Sequence, residues 1–176
     1  MVTKMDEPPP PAEELTTRMP EEADLVTLCR KLNELEARYI VIGGFAIMVA
    51  GFARTTGDVD LLIDTSLENE ARVYKALEIL PDKAVRELKP GDVSRYGVVR
   101  VGDEIMVDLM KSACGIEYAE AAKDLVIRNI QGVPIPFASP RLLWRTKTPT
   151  RRGKDIGDIA FLQEYFRQLG EEPPKV

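Results

Sequence analysis

Residues 41–64, VIGGFAIMVAGFARTTGDVDLLID, constrain the fold more than any other stretch of the chain. A short apolar run enters a glycine pair, a helical apolar segment follows, and a basic turn leads into aliphatic residues interrupted by two aspartates. From Asp58 to Leu62 the polar and apolar residues alternate with period two, so Asp58 and Asp60 project from one face of a strand and Val59 and Leu61 from the other. Carboxylates so placed repel. At ~4 Å and an effective dielectric near ~20, each like-charged pair costs about 4 kcal/mol, a cost that a cation or a proton removes. Oxygen-only ligands favour Mg²⁺ over zinc. An isolated pair of aspartates also fits a strand end and a water-facing side chain, so the surrounding residues must decide.

At 176 residues, 44% hydrophobic and 30% charged, the chain is long enough for one globular core. Residues 1–24 carry seven acids against only Lys4 and Arg18, with prolines at 8, 9, 10 and 11. High charge and low hydrophobicity predict a disordered arm over residues 1–21, a folded domain over 22–170 and a short tail over 171–176. No apolar run approaches the roughly 18 residues that span a bilayer, and the first residues lack a basic-then-apolar secretory pattern. A cytoplasmic protein without a membrane partner is expected. Cys29 and Cys114 show no CxxC spacing and read as reduced thiols.

The chain contains no histidine. Ser-His-Asp and Cys-His nucleophilic sites, imidazole bases and histidine-ligated zinc are therefore excluded, and any chemistry falls to carboxylates, lysine, arginine and backbone. No GxxxxGK[ST] loop and no GxGxxG fingerprint occurs.

Leu25, Leu28, Cys29, Leu32 and Leu35 recur at helical spacing and predict an amphipathic helix ending near Arg38. Residues 39–42 read as a buried strand running into Gly43-Gly44, with a short helix over 45–49. Such a junction lets backbone amides approach an anion at a helix N-terminus, and the same glycines would equally serve a tight turn with no ligand. A strand over 58–63 is followed by a capping-box signature, Thr65-Ser66-Leu67-Glu68, opening a helix to about Leu80. A short helical piece is expected over 84–88. Strands over 94–101 and 104–110 would join across Gly102-Asp103, and alternation in the second aims Asp108 away from Val107 and Leu109. A helix over 116–123 precedes strand-like runs at 125–130 and 133–137 around Gln131-Gly132. Ser139-Pro140 supplies an N-cap and first-turn proline, and a last helix covers about 154–169 with Ile156, Ile159, Ala160 and Phe166 inward.

Residues 141–154 hold six bases (Arg141, Arg145, Lys147, Arg151, Arg152 and Lys154) and no acid, in a chain whose net charge is −5. That concentration suits phosphate or an RNA backbone, or else a solvated basic loop.

Gly43-Gly44, Asp58-Val59-Asp60 within an aliphatic strand and a third strand aspartate, Asp108, together resemble the nucleotidyltransferase superfamily of the DNA polymerase beta type. With Phe45-Ala46, Arg54, Ser139-Pro140-Arg141-Leu142-Leu143, Lys147 and Lys154-Asp155-Ile156-Gly157-Asp158, the chain is most similar to small AbiEii-type toxin-antitoxin nucleotidyltransferases. The resemblance implies an α/β (α+β) fold, a mixed sheet flanked by helices. It implies two Mg²⁺ ions on the catalytic and metal-binding carboxylates Asp58, Asp60 and Asp108. A nucleoside triphosphate such as ATP would meet Gly43, Gly44, Arg54 and Lys147, and a nucleoside monophosphate would pass to an acceptor with loss of pyrophosphate. Expected partners are tRNA or another RNA along residues 141–154 and a cognate toxin or antitoxin protein. The alternative is a non-catalytic binding module or antitoxin built on the same fold.

Overall fold

The computed structural model describes residues 1–4, 17–150 and 153–176. Along them run β1 (Val2–Lys4), α1 (Glu22–Glu34), β2 (Tyr39–Ile42), α2 (Gly43–Val49), β3 (Asp58–Ile63) and α3 (Leu67–Leu77). Next come α4 (Asp92–Tyr96), β4 (Val98–Gly102), β5 (Met106–Met110), β6 (Ser112–Ala113), β7 (Ile116–Glu117) and α5 (Tyr118–Ala121). The chain closes with β8 (Leu125–Ile130), β9 (Val133–Ala138), α6 (Pro140–Lys147) and α7 (Ile156–Leu169).

Seven strands form one mixed sheet in the order β1-β4-β5-β3-β2-β9-β8, and β6 pairs with β7 apart from it. β3 is parallel to β5 and β2 to β9, while the other neighbouring pairs run antiparallel. Ile40, Val41, Leu61, Leu62, Val107 and Leu109 are fully buried, so β2, β3 and β5 form the covered centre of the sheet. Consecutive buried residues in a strand require cover on both faces, as sheets with crossover helices have. α1 packs on α3 and β9, and α2 lies against β2, β3 and α6. The expected mixed sheet flanked by helices is thus the architecture formed.

Local chemistry sets the joints. Ser139 Oγ accepts the N–H of Leu142 at 3.1 Å with Pro140 opening α6, as the sequence predicts. Trp144 then meets Phe166 edge to face, centroids 6.2 Å apart, and ties α6 to α7. At α3 the expected capping box is replaced: Asp64 Oδ1 accepts the Ser66 N–H at 2.9 Å, and Ser66 makes no side-chain cap.

Three regions differ from expectation, and the N-terminal arm is described only in part. Of the predicted disordered arm, residues 5–16 lie outside the described residues. Val2–Lys4 pair with β4, and Arg18 forks onto both Asp24 oxygens at 2.7 Å. Residues 94–96 are the end of a helix, not the start of a strand. The buried Glu70 carboxylate accepts the N–H groups of Gly91 and Ser94, which stabilises that first turn. The β4–β5 connection is residues 103–105 rather than a Gly102-Asp103 turn, because buried Asp103 accepts N–H bonds from Asp82, Ala84 and Glu104. Finally, α7 is partly rotated from its predicted face: Phe166 is buried as expected, but Ile156 is 67% exposed and Ala160 is exposed, whereas Asp155, Asp158 and Leu162 are buried.

Candidate functional site

The strand register assembles the site. Asp60 lies opposite Asp108 between β3 and β5, and Asp108 opposite Arg100 between β5 and β4. Residues directly opposed across a ladder share a face, so Asp60, Asp108 and Arg100 form one row, and Asp58, two residues before Asp60, projects beside it. One carboxylate oxygen from each of Asp58, Asp60 and Asp108 lies within 4.8 Å of the others. The three aspartates picked out in the sequence therefore converge.

Each is held differently. Thr56 Oγ1 donates to Asp58, 3.2 Å from its Oδ1, and Thr56 is itself fixed beneath Gly44. A Cβ on Gly44 would stand 2.5 Å from the Thr56 Cβ. Asp60 is pressed against Gly43, where a Cβ would fall 1.8 Å from Asp60 Oδ2 and where φ is +65°. Only glycine meets both conditions. The glycine pair thus seats Asp58, through Thr56, and Asp60. Asp108 is gripped by Arg100, whose Nε and Nη2 donate to its two oxygens at 2.8 and 2.7 Å. Arg100 Nη2 also stands 3.7 Å from Asp58 Oδ2. Its hydrogen bonds to Asp108 raise the guanidinium pKa above its ordinary value.

Two cavities meet at this cluster. One, of about 310 Å³, is lined by Gly44, Arg54, Thr56 and Asp58. The other, of about 280 Å³, is lined by Arg100 and Asp108 with Val98, Met110, Cys114 and Thr146. Gly43, Asp60, Lys147 and Asp155 border both, so the two cavities adjoin at Asp60, with Asp58 on one side and Asp108 on the other.

Arg54 and Lys147 reach the site from a second charged cluster. Lys147 is buried, with Nζ 3.0 Å from Asp155 Oδ1 and 2.7 Å from Asp158 Oδ2. Arg54 Nη2 donates to Asp158 Oδ2 at 3.1 Å, and its Nε lies 2.9 Å from Asp158 Oδ1 in an ion contact too bent for a hydrogen bond. Both cations picked out in the sequence border the first cavity while engaged by carboxylates of the α7 region. Sequence reasoning missed Arg100, Thr56 and the site-facing role of Asp155. The described bases of the run are matched as well: Arg141 pairs with Glu171 at 2.9 Å, and Arg145 with Glu120. Arg151, Arg152 and the Lys154 side chain lie outside the described residues.

The fold has counterparts among solved structures. The chain superposes on the crystal structure of an antigenic nucleotidyltransferase-like protein from Paracoccidioides brasiliensis with a TM-score of 0.51 and 20% identity, over 80% of this chain and 74% of that one. It superposes on the solution structure of the antibiotic-resistance factor ANT(2'')-Ia with a TM-score of 0.51 and 18% identity, over 85% of this chain and 86% of that one. The fold is nucleotidyltransferase-like. No protein-family model matches the chain, and neither does any curated protein. Among the described residues, no helix is long and apolar enough to cross a membrane.

Proposed function

We propose that this protein is a Mg²⁺-dependent nucleotidyltransferase that moves a nucleoside monophosphate from a nucleoside triphosphate to an acceptor and releases pyrophosphate. The observation that carries the reading is the approach of Asp58, Asp60 and Asp108 to within 4.8 Å of one another where two cavities adjoin. The donor set suits the ion: Mg²⁺ takes oxygen ligands at about 2.1 Å, so opposite ligands stand ~4.2 Å apart, and small side-chain rotations close the remaining gap. Asp58, Asp60 and Asp108 would hold two such ions, which supply Lewis-acid stabilisation of charge on the phosphates and on the attacking oxygen.

The chain's own groups divide the remaining work. The first cavity suits the triphosphate, because Arg54 and Lys147 border it and the side-chain-free Gly43-Gly44 backbone forms one wall. Asp155 and Asp158 hold those two cations in place beforehand, which reduces the reorganisation needed on binding. The second cavity suits the acceptor, whose oxygen would attack the α-phosphorus as the bond to the bridging oxygen breaks and pyrophosphate leaves. Catalysis of this kind is mostly positioning and charge stabilisation, and it needs no histidine.

The second cavity, small and partly aliphatic through Val98 and Met110, favours a small hydroxyl-bearing acceptor. An RNA acceptor bound along residues 141–154 is less well supported, since Arg141, Arg145 and Lys147, the bases of that stretch whose side chains are described, are paired with acids. Incubation with labelled nucleoside triphosphates, Mg²⁺ and total cell extract separates the two. Label in small molecules supports the acceptor assigned here, and label in RNA, with affinity falling about 10³-fold or more between 50 and 200 mM salt, supports the other. Calorimetry with nucleotide and Mg²⁺ tests the site itself, which fails if nothing binds at millimolar concentration.

One observation favours a second reading, a binding module of a toxin-antitoxin pair that uses this fold without catalysis: Arg100 already engages both oxygens of Asp108. Expression of the wild type and of Asp58→Ala in a bacterial host distinguishes them. Growth arrest that depends on Asp58 belongs to an enzyme, and growth indifferent to it belongs to the module.

A further inference from the structure

Three carboxylates at one place carry a formal charge of −3, and the fold already brings one counter-charge to them. Arg100 comes from β4, the strand antiparallel to β5, and its register position opposite Asp108 is fixed by five consecutive strand pairs from Val98↔Met110 to Gly102↔Met106. Its guanidinium takes both oxygens of Asp108 and stands 3.7 Å from Asp58. A planar fork on a carboxylate is the strongest geometry arginine offers. The side chain is 48% exposed and borders the second cavity, which gives the head group room to shift.

We propose that Arg100 is the resident counter-cation of the carboxylate cluster, competing with a divalent ion for Asp108 and Asp58 and so setting the threshold at which the site loads. The inference rests on the cation-site reading given above and adds a regulator to it. With Arg100 in place the cluster stays folded without a metal, because one fixed positive charge offsets part of the repulsion among the aspartates. When a divalent ion enters, Arg100 either releases Asp58 and keeps Asp108 oriented, or shares an Asp108 oxygen with the ion. In both arrangements the ion binds more weakly than it would to three unopposed carboxylates.

A cross-strand ion pair that merely fastened β4 to β5 would behave differently. Its loss would lower stability equally with and without a divalent ion and would leave ion affinity alone. Mn²⁺ alone, in the absence of nucleotide, is the probe. Calorimetric titration and thermal unfolding in chelator and in excess Mn²⁺ are compared for wild type, Arg100→Gln and Arg100→Lys. The proposal expects Arg100→Gln to bind Mn²⁺ about tenfold more tightly or better, since a charge close to the ion no longer opposes it. It also expects a lower melting temperature in chelator that excess Mn²⁺ restores. Arg100→Lys, which keeps the charge but loses the fork, should gain several-fold in affinity, and it carries the test alone if the glutamine variant does not fold. Unchanged or weaker Mn²⁺ binding in the variants that fold, alongside measurable binding by wild type, overturns the role of Arg100 only. If wild type and variants all fail to bind Mn²⁺ at millimolar concentration, the cation site itself is overturned and this inference with it.

Discussion

Two charged clusters flank the glycine pair, and they are balanced in opposite ways. In the interior one, Asp155 and Asp158 meet Lys147 and Arg54, with the Asp158 side chain only 1% exposed. In the more open one, which shares the cavities with the first, Asp58, Asp60 and Asp108 meet the half-exposed guanidinium of Arg100. Burial explains the difference. An unmatched charge sealed from water costs several kcal/mol, so the interior cluster holds two acids and two bases. A cluster more open to solvent can keep an excess of negative charge, because solvent screens it. Imbalance near solvent, more than acid count, therefore distinguishes the place where the proposed ions would sit.

The two clusters should respond most differently when acids are neutralised in each one separately. Asp58→Asn with Asp60→Asn should abolish nucleotidyl transfer, a loss of about 10³-fold or more if these carboxylates hold the ions. Thermal stability should stay level or rise, because like-charge repulsion is relieved. Asp158→Asn should do the reverse to stability, stranding Lys147 and Arg54 beside a neutral amide. Melting curves on both variants, with transfer assays in parallel, decide it; a stability loss in the first variant as large as in the second would remove the distinction.

Lys147→Met probes the interior cluster from its basic side. It leaves Asp155 and Asp158 buried with a single remaining arginine, at a cost of about 3 kcal/mol or more in urea unfolding. If Lys147 served only to meet phosphate, the variant would unfold like wild type and lose nucleotide affinity alone.

Gly43→Ala falls next in size and acts on the hinge between the clusters. The methyl group would stand 1.8 Å from Asp60 Oδ2 at a backbone φ of +65°, so the turn must distort and Asp60 must move. A cost of about 1–3 kcal/mol is expected, with weaker cation binding measured alongside. Full cation affinity in this variant would show that Asp60 does not depend on the glycine for its position.

The parts of this arrangement legible in the sequence were those written into a single segment. The β2–Gly43-Gly44–α2 turn and the β3 alternation can be read locally, since strand period and glycine chemistry depend on neighbours a few residues away. Asp108 was legible because its strand alternates. Arg100 was not, because its position depends on the register of β4 against β5, and that register depends on the β4–β5 connection. A two-residue Gly102-Asp103 turn would set Arg100 opposite Ile105 and away from Asp108. The buried Asp103 carboxylate, accepting three backbone N–H groups, lengthens the turn and brings arginine and aspartate together. The α7 face was misread for a related reason. Apolar spacing pointed Ile156 inward, whereas Lys147 and Arg54, distant in sequence, supply the partners that let Asp158 be buried instead.

The two cysteines offer the gentlest probe, one in the interior and one on a cavity wall. Cys29 is fully buried, and burial pushes its pKa up to about 12. Because the thiolate is the reactive form and its pKa is raised, the fraction ionised at pH 8 is on the order of 10⁻⁴, and raising the pH toward 9 changes it little in absolute terms. Cys114 is exposed, borders the second cavity and donates its S–H to the Thr146 carbonyl at 2.9 Å. A maleimide should therefore label one thiol per native chain between pH 7 and 9 and two after denaturation, as counted by intact mass. An acceptor seated in the second cavity should slow that single reaction several-fold, while a nucleotide confined to the first cavity should leave it unchanged. Protection by nucleotide alone would reverse the assignment of the two cavities, and prompt labelling of both thiols in the native chain would show that the interior is less closed than its buried ion pairs require.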